Sequence, residues 1–185
     1  MVSRQSAPRQ LRNFPHGTKE ADPAMTHGSE SLTSTNPWSN SAKLTGLEFV
    51  QSLAKGSRPR PPMAELLPFL LLPPNEGAVE LRASPEPRFV NTLNTVHGGW
   101  SMTMLDTSMA LAAHTTLKPG ELCPTLETSV KFVRPILADS RELRIVGHVL
   151  SRSRTIIVLE GRIETLQGKV HAHGTSTCMI VPKGG

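Results

Sequence analysis

The apolar positions of this chain fall into three rhythms. Over residues 44–56 (LTGLEFVQSLAKG) they recur at Leu47, Val50 and Leu53/Ala54, the spacing of a helix packed on one side, and Gly56 with Pro59, Pro61 and Pro62 ends it. A Pro-rich connector leads to a short strand at 69–72, the turn Pro73-Pro74-Asn75-Glu76-Gly77, and a strand over Ala78–Ala83. In that strand Val79 and Leu81 share one face, Glu80 and Arg82 the other. From 98 to 117 the pattern changes. Trp100, Met102, Met104, Leu105, Met109 and the run 110–113 leave little polar surface, which predicts a helix wrapped by other structure and stopped at Lys118-Pro119-Gly120. Four β-rich runs follow at 125–134, 141–150, 155–165 and 170–181, the last two joined by a hairpin turn at 166–169. The order is α-β-β-α-β-β-β-β, and no helix separates the last four strands. The expected fold is α+β, an antiparallel β-sheet wrapped around one long central helix, rather than a parallel doubly wound sheet.

Composition sets the boundaries. Residues 1–40 hold few large apolar side chains and many Ser, Thr, Asn, Pro and Arg, so they are expected to form a disordered tail before a single domain at 41–182. The net charge of +5 and pI of about 9.7 raise the question of nucleic acid. No aromatic residues interleave with a basic stripe, Tyr is absent and no zinc-finger pattern occurs, so no nucleic-acid partner is expected. The two cysteines, Cys123 and Cys178, make no secreted disulfide framework, and no apolar signal segment opens the chain; a cytoplasmic location is expected. The apolar run at 66–74 is too short and too Pro-rich to span a bilayer, so no membrane partner is expected either.

The chemistry concentrates in NTLNTVHGGWSMTMLD (91–106), where a single carboxylate, Asp106, interrupts the most apolar segment. A carboxylate there is costly unless paired, hydrated or neutralised, so it is either a structural anchor or a reactive group. Gly98 and Gly99 open the predicted helix, where the first amides lack intrahelical partners and no Cβ blocks an approaching carbonyl oxygen. His97 can cap that helix or touch a ligand, and Asn91 can close an Asx turn. His171-x-His173 places two imidazoles on one strand face, but no third ligand accompanies them; no metal site is expected.

The spacing Asn91-x5-His97-Gly98-Gly99-x6-Asp106, with Thr125-x-Glu127, Phe132-Val133-Arg134-Pro135 and the closing hairpin, resembles the signature of hotdog-fold acyl-CoA thioesterases of the phenylacetate-degradation (PaaI) type. The resemblance runs from about residue 44 to 181 and leaves the first forty residues outside. It implies hydrolysis of an acyl-CoA thioester with no cofactor beyond the coenzyme A of the substrate. It matches Asp106 to the catalytic carboxylate and Gly98 to the amide that polarises the carbonyl. Asn91, His97 and Thr125 fall at motif positions near the reacting atoms. Gly99 and Trp100 are expected beside the substrate, and Arg134, Arg152 and Arg154 are candidates for the CoA phosphates. Gly98 and Asp106 lie eight residues apart, about 12 Å along one helix. One thioester carbon cannot reach both, so the expected site lies between two antiparallel copies of the helix in a homodimer, with pairs of dimers forming a homotetramer. A noncatalytic acyl-CoA-binding module is the alternative from another class.

Overall fold

A computed structural model describes residues 43–182 of the chain. The expected disordered tail at 1–40 lies outside the described residues. The first helix, α1 (Gly46–Ala54), starts at a capping box: Thr45 Oγ1 accepts from the Glu48 N–H, and Glu48 Oε2 accepts from the Thr45 N–H. It stops two residues before Gly56, whose φ of 69° suits a residue without Cβ. The Pro-rich connector is not wholly irregular. It contains a short helix, α2 (Pro62–Leu66), with Pro62 in the first turn, where its missing N–H costs nothing.

Eight strands form, the third outside every predicted run: β1 (Leu70–Leu71), β2 (Ala78–Ala83), β3 (Glu121–Leu122), β4 (Thr125–Phe132), β5 (Leu143–Arg152), β6 (Ile156–Thr165), β7 (Val170–Met179) and β8 (Val181–Pro182). Six make one antiparallel sheet in the order β1-β2-β5-β6-β7-β4. The last predicted strand is divided at Ile180, and its tip, β8, pairs with β3 in a separate two-stranded ribbon. The long helix, α3 (Gly98–Thr115), lies along the inner face of the large sheet. Its Met104, Leu105, Met109, Ala112 and Ala113 are fully buried against Leu81, Ile145, Ile157, Leu159 and Ile163. This is the α+β hotdog arrangement.

Two glycines explain how the helix comes so close. Gly147 of β5 and Gly161 of β6 lie side by side. A Cβ on Gly147 would fall 2.4 Å from the Ser108 carbonyl oxygen, and one on Gly161 would fall 3.0 Å from Met109 Cγ. The groove in which α3 sits is cut by the absence of side chains. The outer face of the sheet is charged. Buried Glu164 is held by Arg144 at 2.6 Å and Arg162 at 3.0 Å, and Arg144 also pairs with Glu80 at 2.7 Å.

The expectation that α3 is wrapped all round needs correction. Met102 is 44% exposed, and Gly99 is exposed with it. Beside this flank the sheet ends at β4, an edge strand. Along β4 Leu126 and Phe132 are both more than half exposed.

Candidate active site

The open flank of α3 carries Asp106, which is half-buried rather than enclosed. Its Oδ1 accepts two hydroxyls from the neighbouring edge strand, Thr128 Oγ1 at 3.1 Å and Thr125 Oγ1 at 3.3 Å. Among the described residues Oδ2 accepts no hydrogen bond. One oxygen is therefore oriented by the protein, and the other is left for water or a ligand. Thr128 Oγ1 also lies 3.1 Å from Ser176 Oγ, whose single proton goes either to it or to the Glu127 carbonyl at 2.9 Å.

Thr128 escaped the sequence reading for a geometric reason. Between Thr125 and Glu127 the register against β7 shifts by one residue, so Leu126 is a bulge. Strict alternation would put 125, 127 and 129 on one face. The bulge instead brings Thr125 and Thr128 to the same carboxylate and leaves Glu127 exposed on the other side.

The start of α3 is the second centre. His97 is the N-cap, and its Nδ1 accepts the Gly99 N–H at 2.9 Å, which leaves the ring proton of the neutral imidazole on Nε2. The Trp100 N–H goes to the His97 carbonyl at 3.0 Å. Among the described residues the Gly98 N–H donates to no acceptor. The two glycines thus differ: Gly99 is satisfied by its own cap, whereas Gly98 presents an unused amide at the positive end of an 18-residue helix. Asn91 shapes the approach. Its Oδ1 accepts from the Leu93 and Thr95 N–H groups, closing a loop in which Asn94 takes a φ of 57°. Asn91, Gly98, Phe132 and Arg134 border one cavity of about 280 Å³.

The remaining candidates are dispersed. Arg134 borders the Gly98 cavity, but its Nη1 is tied to the Val170 carbonyl at 2.7 Å. Arg152 pairs with Glu121 at 3.0 Å, and Arg154 is exposed in the β5–β6 turn. Arg152 shares a row of the sheet with Thr125, three strand spacings or roughly 14 Å away. Trp100 is only 4% exposed and belongs to the core, with an edge on a second cavity beside His97, Gly99 and Thr103. Cys178 Sγ lies 3.8 Å from Thr125 Oγ1, but burial pushes its thiol up, and burial pushes the Cys123 thiol up to about 12. Neither sulfur is a thiolate at neutral pH. No cluster of three or more His, Cys, Asp or Glu able to hold a metal occurs among the described residues. No helix among them is long and apolar enough to cross a membrane.

Strand β4 measures the gap between the two centres. Phe132 lies against Gly98, where a Cβ would come within 3.0 Å of its ring, and Thr128 lies against Asp106. Four strand residues span about 13 Å, in agreement with eight helical residues at about 12 Å. Within one chain the unused amide and the free carboxylate oxygen face different places.

Comparison with known proteins converges on one fold. Residues 93–172 match the model of the thioesterase superfamily. The structure is similar to that of a phenylacetic acid degradation-related protein from Ralstonia eutropha JMP134, with a TM-score of 0.64 at 28% identity over 70% of this chain and 98% of that one. It is similar also to the PaaI protein of the E. coli phenylacetic acid degradation operon, at a TM-score of 0.65 and 18% identity, covering 76% of this chain and 97% of that one. A third similar structure is smu.793 from Streptococcus mutans UA159 bound to acetyl CoA, at a TM-score of 0.57 and 22% identity, covering 62% and 90%. No curated protein matches the chain.

Proposed function

We propose, from the match of residues 93–172 to the thioesterase superfamily model and from the geometry around Asp106, that this chain hydrolyses an acyl-CoA thioester at a site shared by two copies of α3. The observation that carries this reading is the division of labour around Asp106. Two threonine hydroxyls hold Oδ1, and Oδ2 stays open on the exposed flank of the helix.

In this reading the thioester carbonyl oxygen lies on the Gly98 amide of one copy, and the carbonyl carbon faces Asp106 of the other. Negative charge grows on that oxygen as the carbon becomes tetrahedral. An amide already pointed at it stabilises the transition state without reorganisation, an effect of about 10²–10³ in rate. Asp106 Oδ2 either takes the proton of an attacking water or attacks the carbon itself. The carbon–sulfur bond then breaks and CoA leaves as its thiolate. On the first route the acid is released directly and the proton held by Asp106 passes to the thiolate. On the second a water hydrolyses the acyl–Asp106 anhydride to the free acid, while the thiolate takes a proton from solvent. His97 serves by capping: it satisfies Gly99 and keeps Gly98 at the first helical position. Arg134, on the rim of the Gly98 cavity, is the best placed of the three arginines for an anionic part of CoA.

The test is thiol release from acyl-CoAs of different length, run beside the Asp106→Asn variant. The expected outcome is turnover of at least one acyl-CoA by the wild type and a loss of about 10²–10⁴ in kcat for a variant that stays folded and assembled. If no thioester is turned over and CoA still raises the Tm, the chain binds acyl-CoA without hydrolysing it.

A further inference from the structure

A largely apolar cavity lies apart from both centres, between α3 and the segment 53–71. Leu53, Leu67 and Phe69 form one wall and Leu111 another; Thr103 and Thr107 of α3 stand at its side. Thr107 follows Asp106 directly, and Thr103 precedes it by one turn, so the cavity opens along the same stretch of helix as the carboxylate. Thr103 gives its hydroxyl to the Gly99 carbonyl at 3.0 Å and so brings no unpaired donor to the cavity. The volume is about 130 Å³. A dry apolar cavity of about 150 Å³ holds one benzene molecule, so this one has room for about six carbons. One of its walls comes from residues N-terminal to the 93–172 stretch, so this chain's own connector sets part of its size.

We infer that this cavity receives the acyl group and limits it to a compact apolar unit of about six carbons, with Leu53, Ala54 and Leu111 closing its far end. The inference rests on the acyl-CoA reading above and specifies its substrate class. The wall also includes Arg60, whose guanidinium stacks over the Phe69 ring 5.8 Å from its centroid. Straight chains much longer than six carbons must leave their ends in water or force α1 and the connector outward.

The two readings are separated by measuring binding and turnover together. Affinities for CoA and for its butanoyl, hexanoyl, benzoyl, decanoyl and hexadecanoyl thioesters are determined on the Asp106→Asn variant, and kcat/KM on the otherwise unchanged chain. Affinity is expected to rise about fourfold per methylene up to about six carbons and then to level off or fall. Leu111→Ala should move the break to longer chains and Ala54→Leu to shorter ones. An unbroken gain to hexadecanoyl, acyl thioesters that bind no better than CoA, or a break that neither substitution moves would overturn the cavity assignment. Turnover without a size limit sinks the cavity alone. A size limit in binding without turnover sinks the hydrolase reading and leaves the cavity standing.

Discussion

In the proposed reaction Asp106 depends on Thr128, whose hydroxyl at 3.1 Å fixes the rotation of the carboxylate. Thr128→Val removes the hydroxyl while keeping the branched shape suited to a strand. On the proposed mechanism kcat falls roughly tenfold to a hundredfold with KM little changed, whereas Thr128→Ser, which restores the hydroxyl, recovers most of the rate. Steady-state kinetics of the pair reads this directly, and a merely structural Thr128 would move Tm without splitting kcat from KM. Thr125, at the longer distance of 3.3 Å, should matter less. At this scale Asp106 and Gly98 are legible from residue type and spacing. Thr128 is not, because a single bulged residue, Leu126, decides which hydroxyls face the carboxylate.

At the scale of elements, the joint between α1 and the end of α3 contains a titrating group that catalysis does not use. The Gly46 N–H donates to the Leu117 carbonyl at 2.9 Å, and a Cβ on Gly46 would lie only 1.7 Å from the His114 carbonyl oxygen. The helices therefore meet at backbone distance. The His114 ring packs on Phe49 with centroids 4.8 Å apart, and its buried Nε2 has no hydrogen-bond partner. Burial pushes the His114 pKa from an ordinary 6.5 down to about 4. The unfolded chain therefore takes up a proton near 6.5 that the folded chain refuses until about 4, so folding stability falls as pH drops between these values. Below the lower value both states are protonated, and this loss stops growing. The total is about 3 kcal/mol at 1.36 kcal/mol per pH unit. Urea unfolding at pH 7 and pH 4.5 should show a drop that His114→Phe reduces; equal pH dependence in the two proteins would refute the assignment. The helix spacing of α1 was readable from sequence. Its docking against a glycine was not, because close approach depends on which backbones meet.

For the molecule as a whole, two exposed features coincide: the unpaired edge of β4 and the flank of α3 carrying Gly99, Met102 and Asp106. A long strand edge with apolar residues beside it invites a second copy, and the two-fold pairing proposed here would cover both. A subunit-mixing experiment distinguishes a shared site from a private one. Gly98→Pro deletes the amide at a helix position that tolerates proline, and His97 already has the extended conformation, φ −61° and ψ 137°, that a residue before proline requires. The added Cβ presses only on the exposed ring of Phe132. Asp106→Asn and Gly98→Pro are each expected to be nearly inactive alone. After unfolding and refolding together, half the dimers are mixed and each holds one intact site, so about a quarter of the wild-type activity should return. No recovery in correctly assembled mixed dimers would mean that the two groups do not meet across subunits.

Period and punctuation were enough to determine the six strands of the main sheet, the long helix, their order and the position of the lone carboxylate, because alternation and turn residues act over a few neighbours along the chain. Which threonines hold Asp106, which glycine keeps a free amide, how far α3 sinks into its glycine-lined groove and how large the apolar cavity is were settled only by tertiary structure. Each of these depends on residues from separate elements. A one-residue bulge, a cap or a missing Cβ alters them without altering the hydrophobic pattern from which the elements are read.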